Sequence, residues 1–255
     1  TIVDPTVLGL GRDIAFMQRV VDATGIQLLA ATGLYTYHDL PFTFANRSVR
    51  HLRDVFVHDI EQGIQGTPTR AAFLKCATDA PGITPGVEKV IRAVAQAHRQ
   101  TGVPIMTHSY PANGSGLAQQ DLLAEEGVDL AHVLIGHSGD SDDLDYLMRI
   151  ADRGSFLGMD RFGLDDILPA ARRTAAIVEL CRRGYADRMM LAQDSCATID
   201  WFDLDQVRQH APNWTMTYIP DTVIPALRAA GVSDGDIHQM TVANPRRYFE
   251  GQSGY

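Results

Sequence analysis

Four residues stand where chemistry can be done. Lys75, His108, His137 and Asp194 each follow a short apolar run: Ala71 to Leu74, Val103 to Met106 with Thr107, His132 to Gly136, and Met189 to Gln193. Imidazole and carboxylate are donors that zinc and similar divalent ions accept. A single histidine on a strand is more often structural than ligating. Two at successive strand ends, with an aspartate further on, reverse that preference. The spacing agrees, with 33 residues from Lys75 to His108, 29 on to His137 and 57 on to Asp194. The first two intervals are one strand-helix unit each, and the third is two, with Ser155 to Met159 closing on Asp160 between them. Lys75 is the unusual member. Burial lowers an amine's pKa and exposes the neutral form, which reacts with carbon dioxide to give a carbamate able to bridge two metals. On the residues alone the plainer reading is stronger: a lysine reaching the barrel mouth or pairing with Asp79.

The elements that must carry these residues are legible. Three further runs complete a set of seven: Ile2-Val3 closing on Asp4, Gln27 to Ala31 on Thr32, and Ser155 to Met159 on Asp160. They are short, rich in Val, Ile, Leu and Ala, and do not alternate, as suits strands buried on both faces of a parallel sheet. Between them lie helical patterns. Thr84-Pro85 is an N-cap with proline in the first turn, and Val87, Val90, Ile91, Val94 and Ala97 keep the 3.6 period until Gly102. Similar stretches run from Asp13 to Thr24, Ser48 to Gln62, Leu117 to Glu126, Asp143 to Arg153 and Pro169 to Arg183, each followed by a glycine stop. Strand and helix alternate, which predicts parallel βαβ units. No glycine-rich phosphate fingerprint follows the first strand. Seven strands suit a doubly wound sheet or, with one more upstream of Thr1, a (β/α)8 barrel, whose strand ends converge on one catalytic face.

Composition narrows the function classes. The 255 residues suffice for a single domain over 1–255, 45% of them are hydrophobic, and the net charge is -9. That balance argues against a nucleic-acid backbone partner. No apolar run approaches the roughly 20 residues that span a bilayer, so no membrane partner is expected. Cys76, Cys181 and Cys196 are too scattered for a disulfide framework or a zinc knuckle, which points to a reducing, cytoplasmic compartment.

Taken together, Gly33-Leu34-Tyr35-Thr36-Tyr37, Lys75 in its apolar strand, Thr107-His108-Ser109, Gly136-His137-Ser138-Gly139-Asp140, Gly158-Met159-Asp160-Arg161-Phe162-Gly163 and Asp194 closely resemble the phosphotriesterase family of the amidohydrolase superfamily. Within it they look most like the phosphotriesterase-like lactonases, which open N-acyl-homoserine lactones. The likeness runs from about Thr1 to about Phe249. It implies a (β/α)8 TIM barrel, a binuclear centre of zinc (or iron, cobalt or manganese), a lactone substrate with quorum quenching as the outcome, a weak phosphotriesterase side activity and a homodimer. By position, Lys75 would be the carboxylated bridging lysine, and His108 and His137 ligands of the more exposed ion. Asp194 would bind the buried ion and take the proton of the bridging hydroxide. Two departures stand out. The family's first strand ends in a His-x-His pair that binds the buried ion, and none occurs in this chain. With the start at Thr1, this leads to the expectation of a barrel lacking its first strand. Ala192-Gln193 precedes Asp194 where such lactonases carry Ser-His. The rival readings are a hydrolase of another lactone, ester or organophosphate triester, and a dead barrel that only binds a ligand.

The same resemblance places Tyr35 over the metals near the scissile carbonyl, Tyr37 beside it, and Arg161 at the entrance as a residue that shapes the site. Phe162 and Leu164, with Ile167 and Leu168, would line an acyl-chain channel that Trp201-Phe202 covers from the next loop. Packing is the competing reading for these apolar residues, and a surface arginine beside Asp165 for Arg161. His51, His58, His98, His210 and His238 lack ligand spacing, His132 opens a strand at the far end, and His38 only borders the tyrosine loop.

Overall fold

A computed structural model of the chain describes residues 1–197, 203–250 and 254–255. Trp201 and Phe202 therefore lie outside the described residues. The chain forms two compact units, residues 1–134 with 248–255, and residues 135–247.

The first unit is built from β1 (Ile2–Asp4), α1 (Ile14–Thr24), β2 (Leu28–Gly33), the short α2 (Phe42–Ala45), α3 (Val49–Glu61), β3 (Phe73–Ala77), α4 (Pro85–Thr101), β4 (Ile105–His108) and α5 (Ser115–Glu125). Each strand pairs in parallel with the next, Ile2 opposite Leu28, Gly33 opposite Lys75, and Ala77 opposite His108. The helices start and stop where side chains satisfy their end groups. Asp13 accepts from the Phe16 N–H, Ser48 from His51 and Thr84 from Val87, each supplying an acceptor to a backbone donor that the helix itself leaves unpaired. α4 buries Val87, Val90, Ile91, Val94 and Ala97, the apolar phase expected from their spacing. Val7, Ala31 and Phe73 form a core on which Val3, Leu29, Tyr35 and Met106 pack.

Two expectations about placement need correcting. Lys75 sits in the middle of β3 and not at its end, because Cys76 and Ala77 continue the ladder opposite Thr107 and His108. β7 stops at Leu191, so Asp194 stands beyond the strand instead of closing it.

Close approach of backbones fixes one glycine. Gly33 has φ +135, and a Cβ there would lie 1.9 Å from the Lys75 carbonyl oxygen. Both φ and space exclude a side chain. Gly33→Ala is expected to cost at least ~3 kcal/mol of stability, read as a fall in the urea midpoint; an unchanged midpoint would mean that β2 and β3 lie further apart than described.

The second unit begins within β5 (Val133–Gly136) and continues through α6 (Leu144–Asp152), β6 (Phe156–Met159), α7 (Ala170–Arg182), β7 (Met189–Leu191) and α8 (Leu204–His210). β6 and β7 pair in parallel, Leu157 opposite Met189 and Met159 opposite Leu191. The C-terminal helical segment is a run of Asp234–His238, a π-turn at Gln239–Ala243, and Asn244–Phe249. The π-turn carries a buried Met240, and the buried Asn244 amide then donates to the Ala186 and Met189 carbonyls at 2.9 and 2.7 Å. Seven strands occur among the described residues, the number expected, and no helix among them is long and apolar enough to cross a membrane. Cys76, Cys181 and Cys196 form no disulfide with one another.

Candidate metal centre

In the first unit the site is built around His108, the last residue of β4, which is 2% exposed. Its Nε2 lies 3.0 Å from the Asp79 carboxylate and its Nδ1 2.7 Å from the Tyr35 hydroxyl, which is 2.8 Å from the Tyr37 hydroxyl. A carboxylate only accepts, so a neutral ring donates from Nε2–H to Asp79 and accepts the Tyr35 O–H at Nδ1. Tyr37 then donates to Tyr35. Ligation through either nitrogen would take the place of one of these partners. Behind the ring, the fully buried Gln119 amide donates to the His108 carbonyl and to the Thr78 hydroxyl, both at 2.7 Å. Lys75 is buried and donates to the Thr107 carbonyl at 3.1 Å; its alternative partner, Asp79, is committed to His108. Burial pushes the neighbouring Cys76 thiol up to about 12, against the pull of the Lys75 charge. The thiol is therefore protonated at neutral pH.

In the second unit His137 follows β5 and is 4% exposed. The Asp160 carboxylate accepts twice from it, from the backbone N–H at 2.9 Å and from Nδ1 at 2.8 Å. That second bond fixes the tautomer, leaving Nε2 as the acceptor nitrogen of the neutral ring. Asp194 Oδ2 stands 3.9 Å from His137 Nδ1 and accepts from Arg161 Nε at 3.2 Å. Arg161 Nη1 donates to Asp140 at 2.9 Å, and Asp140 also pairs with the buried Arg173 at 2.8 Å. Burial pushes the Asp140 carboxyl up, with Arg161 and Arg173 pulling it down and Asp160 adding to the rise. At Arg161 burial opposes the charge, but Asp194, Asp140 and Asp160 together raise its pKa. Arg161 is thus a half-buried, permanently charged link between two aspartates, and its pairing with Asp165 is not what the structure contains.

Backbone strain marks the same residues. Among the described residues, four that are not glycine have positive φ: Gln65 at 54°, His137 at 61°, Arg161 at 60° and Asp194 at 53°. This region is sparsely populated by residues with a Cβ, and such strain gathers at functional sites. Three of the four are candidate site residues of this unit.

The donors fit a divalent ion in type, and His137 fits one in orientation as well. Asp160 holds His137 through one ring nitrogen, as carboxylates behind metal-binding imidazoles do. The gathering is incomplete, for among the described residues no three His, Cys, Asp or Glu side chains form a group able to hold an ion. The proposed lining is mixed. Tyr37 is exposed at 41%, Ile167 is exposed and Leu164 half-buried, while Phe162 and Leu168 are buried. His38 is exposed and pairs with Asp39. His98 is buried, bonded to the Val103 carbonyl and the Tyr255 hydroxyl, and burial lowers its pKa; His51, His58, His210 and His238 are exposed.

The residues that position this chemistry were less visible in sequence. In sequence Asp160 reads as a strand end and a motif residue, and Asp140 as a motif residue, with nothing to mark either as an orienting group. Arg173 occupies the buried phase of α7 with Ala176, Ile177 and Leu180, and a charge in an apolar phase is a readable signal.

A profile described as the phosphotriesterase family matches residues 1–249. An aryldialkylphosphatase of Saccharolobus solfataricus is 52% identical over 251 residues, covering 98% of this chain and 80% of that protein. A phosphotriesterase homology protein of Mycobacterium tuberculosis is 50% identical over 262 residues, covering all of this chain and 80% of its own length. Among solved structures, the phosphotriesterase from Mycobacterium tuberculosis superposes with a TM-score of 0.97 at 50% identity, over all of this chain and 81% of that one.

Proposed function

The chain belongs to the phosphotriesterase family of metal-dependent hydrolases, with an α/β fold of the TIM-barrel class, and from that premise we propose that it opens lactone rings. N-acyl-homoserine lactones are the proposed substrates and quorum quenching the outcome, carried out by a cytoplasmic homodimer. Lys75, His108, His137 and Asp194 are the proposed ligands of two divalent ions, zinc first, with Lys75 as the bridging carbamate. When bound, such ions supply an acidified water and polarise the scissile bond.

The chain's own residues do the rest. Asp194 accepts the proton of the attacking water and passes it to the ring oxygen as the carbonyl carbon–oxygen bond breaks, leaving a hydroxy acid. Tyr35 donates its hydroxyl to the carbonyl oxygen, for which it gives up His108. Arg161 holds Asp194 in place. The observation that carries the lactone reading is this tyrosine, a neutral donor bonded at 2.7 Å to a proposed ligand and backed by Tyr37, a device suited to a carbonyl. The second reading, an organophosphate triester as preferred substrate, is favoured by the name of the Saccharolobus relative. A tetrahedral phosphorus resembles the lactone's addition intermediate, so a side activity is expected under either reading. The test compares kcat/KM for N-acyl-homoserine lactones and for an aryl dialkyl phosphate in a pH-stat assay. The lactone is expected to lead by at least about 100-fold; a lead for the phosphate would favour the second reading.

A further inference from the structure

We propose that Arg173 is a positioning residue for the proposed ligand pair His137 and Asp194, an inference that rests on the ligand reading above. Arg173 lies on α7 with its side chain wholly buried. Its Nε donates to the Leu168 carbonyl at 2.9 Å, and its Nη1 to the Gly139 carbonyl and, at 3.1 Å, to the Asp160 carbonyl. Nη1 also stands 2.8 Å from Asp140 Oδ1. One guanidinium therefore ties the turn after His137, the residue after β6 and the entry to α7.

Two routes lead outward from it. Asp160, held by its carbonyl, receives both His137 N–H groups on its carboxylate. Asp140 stands between Arg173 and Arg161, and Arg161 in turn holds Asp194. These segments pack closely, since a Cβ on Gly139 would meet the Asp160 nitrogen at 3.0 Å. The arrangement is costly if stability were its purpose. Nη2 of Arg173 is buried with no hydrogen-bond partner, and an apolar residue commonly replaces a buried ion pair at no loss. What only a rigid fork does is fix several acceptors at once.

The test uses Arg173→Lys, which keeps the charge and loses the fork, and Asp140→Asn, which keeps the guanidinium and its three carbonyls. Two quantities are read on folded protein. The first is exchange of the His137 Nδ1–H proton with solvent in the metal-free state, followed by NMR and assigned with His137→Gln. The second is zinc affinity by competition with a chromophoric chelator. Arg173→Lys is expected to speed the exchange at least about tenfold and to weaken zinc about tenfold, in the range seen for groups that orient metal-binding imidazoles, with Asp140→Asn weakening zinc less. The proposal is overturned if exchange and zinc affinity are both unchanged in a folded Arg173→Lys protein or, should that variant not fold, if zinc affinity is unchanged in Asp140→Asn. The exchange readout needs no metal, so wild-type protein that binds no zinc would sink the ligand reading while the exchange still decides the role of Arg173.

Discussion

Lys75→Ala is expected to lower kcat by at least about 1,000-fold while the protein stays folded. Lys75 is 5% exposed, at the centre of β3, with its ammonium on the Thr107 carbonyl. A charged amine there carries a desolvation cost, and carbamate formation from amine and carbon dioxide, with loss of one proton, replaces it by an oxygen ligand. Alanine removes that ligand and the buried amine together, so stability changes little compared with activity. Short-chain carboxylic acids should restore part of the rate by supplying carboxylate oxygens in the space vacated. The check is the rate with and without added acid, together with a carbamate carbon signal from labelled carbon dioxide in the metal-loaded wild type. Retention of more than about a tenth of the activity, or no carbamate signal in active enzyme, would contradict the assignment.

Asp194→Asn is expected to lower kcat by about 1,000-fold with KM nearly unchanged, because it removes a proton acceptor that works only once reaction begins. Asparagine is the informative substitute. Asp194 has φ 53°, a conformation that asparagine tolerates about as well as aspartate and most residues do not. The backbone therefore stays while the charge goes. Arg161 keeps its bond to Asp140, so the entrance should hold its form. Steady-state kinetics beside a zinc titration separates the effects: the rate falls steeply and zinc weakens about tenfold. A kcat within threefold of wild type would remove Asp194 from the proton path.

Features set by local chemistry are the ones that sequence carries well. Ser48 before α3, Thr84-Pro85 before α4 and the glycine after each long helix mark ends because each satisfies a specific unpaired group, so the boundaries fall within a residue or two of expectation. Strand ends are harder. A ladder stops where its neighbour stops pairing, and nothing within Lys75-Cys76-Ala77 says that Thr107 and His108 continue opposite. The ligand candidates were legible as residue types at regular spacing. Their orienters were not, since Asp160 behind His137 and Asp140 between two arginines are defined by contacts distant in sequence. The positive φ of His137, Arg161 and Asp194 has no signature in residue type at all, because only the surrounding packing can impose it.

The most direct measurement of the central claim is metal content against turnover on one preparation. Protein is stripped with chelator, reloaded with zinc in steps, and each step is assayed for bound ion per chain and for lactone hydrolysis. Turnover should vanish with the metal and return in proportion to it in wild type, with His137→Gln and Asp194→Asn reloading poorly. Full turnover at less than about a tenth of an ion per chain would contradict a metal-dependent hydrolase carried by these residues.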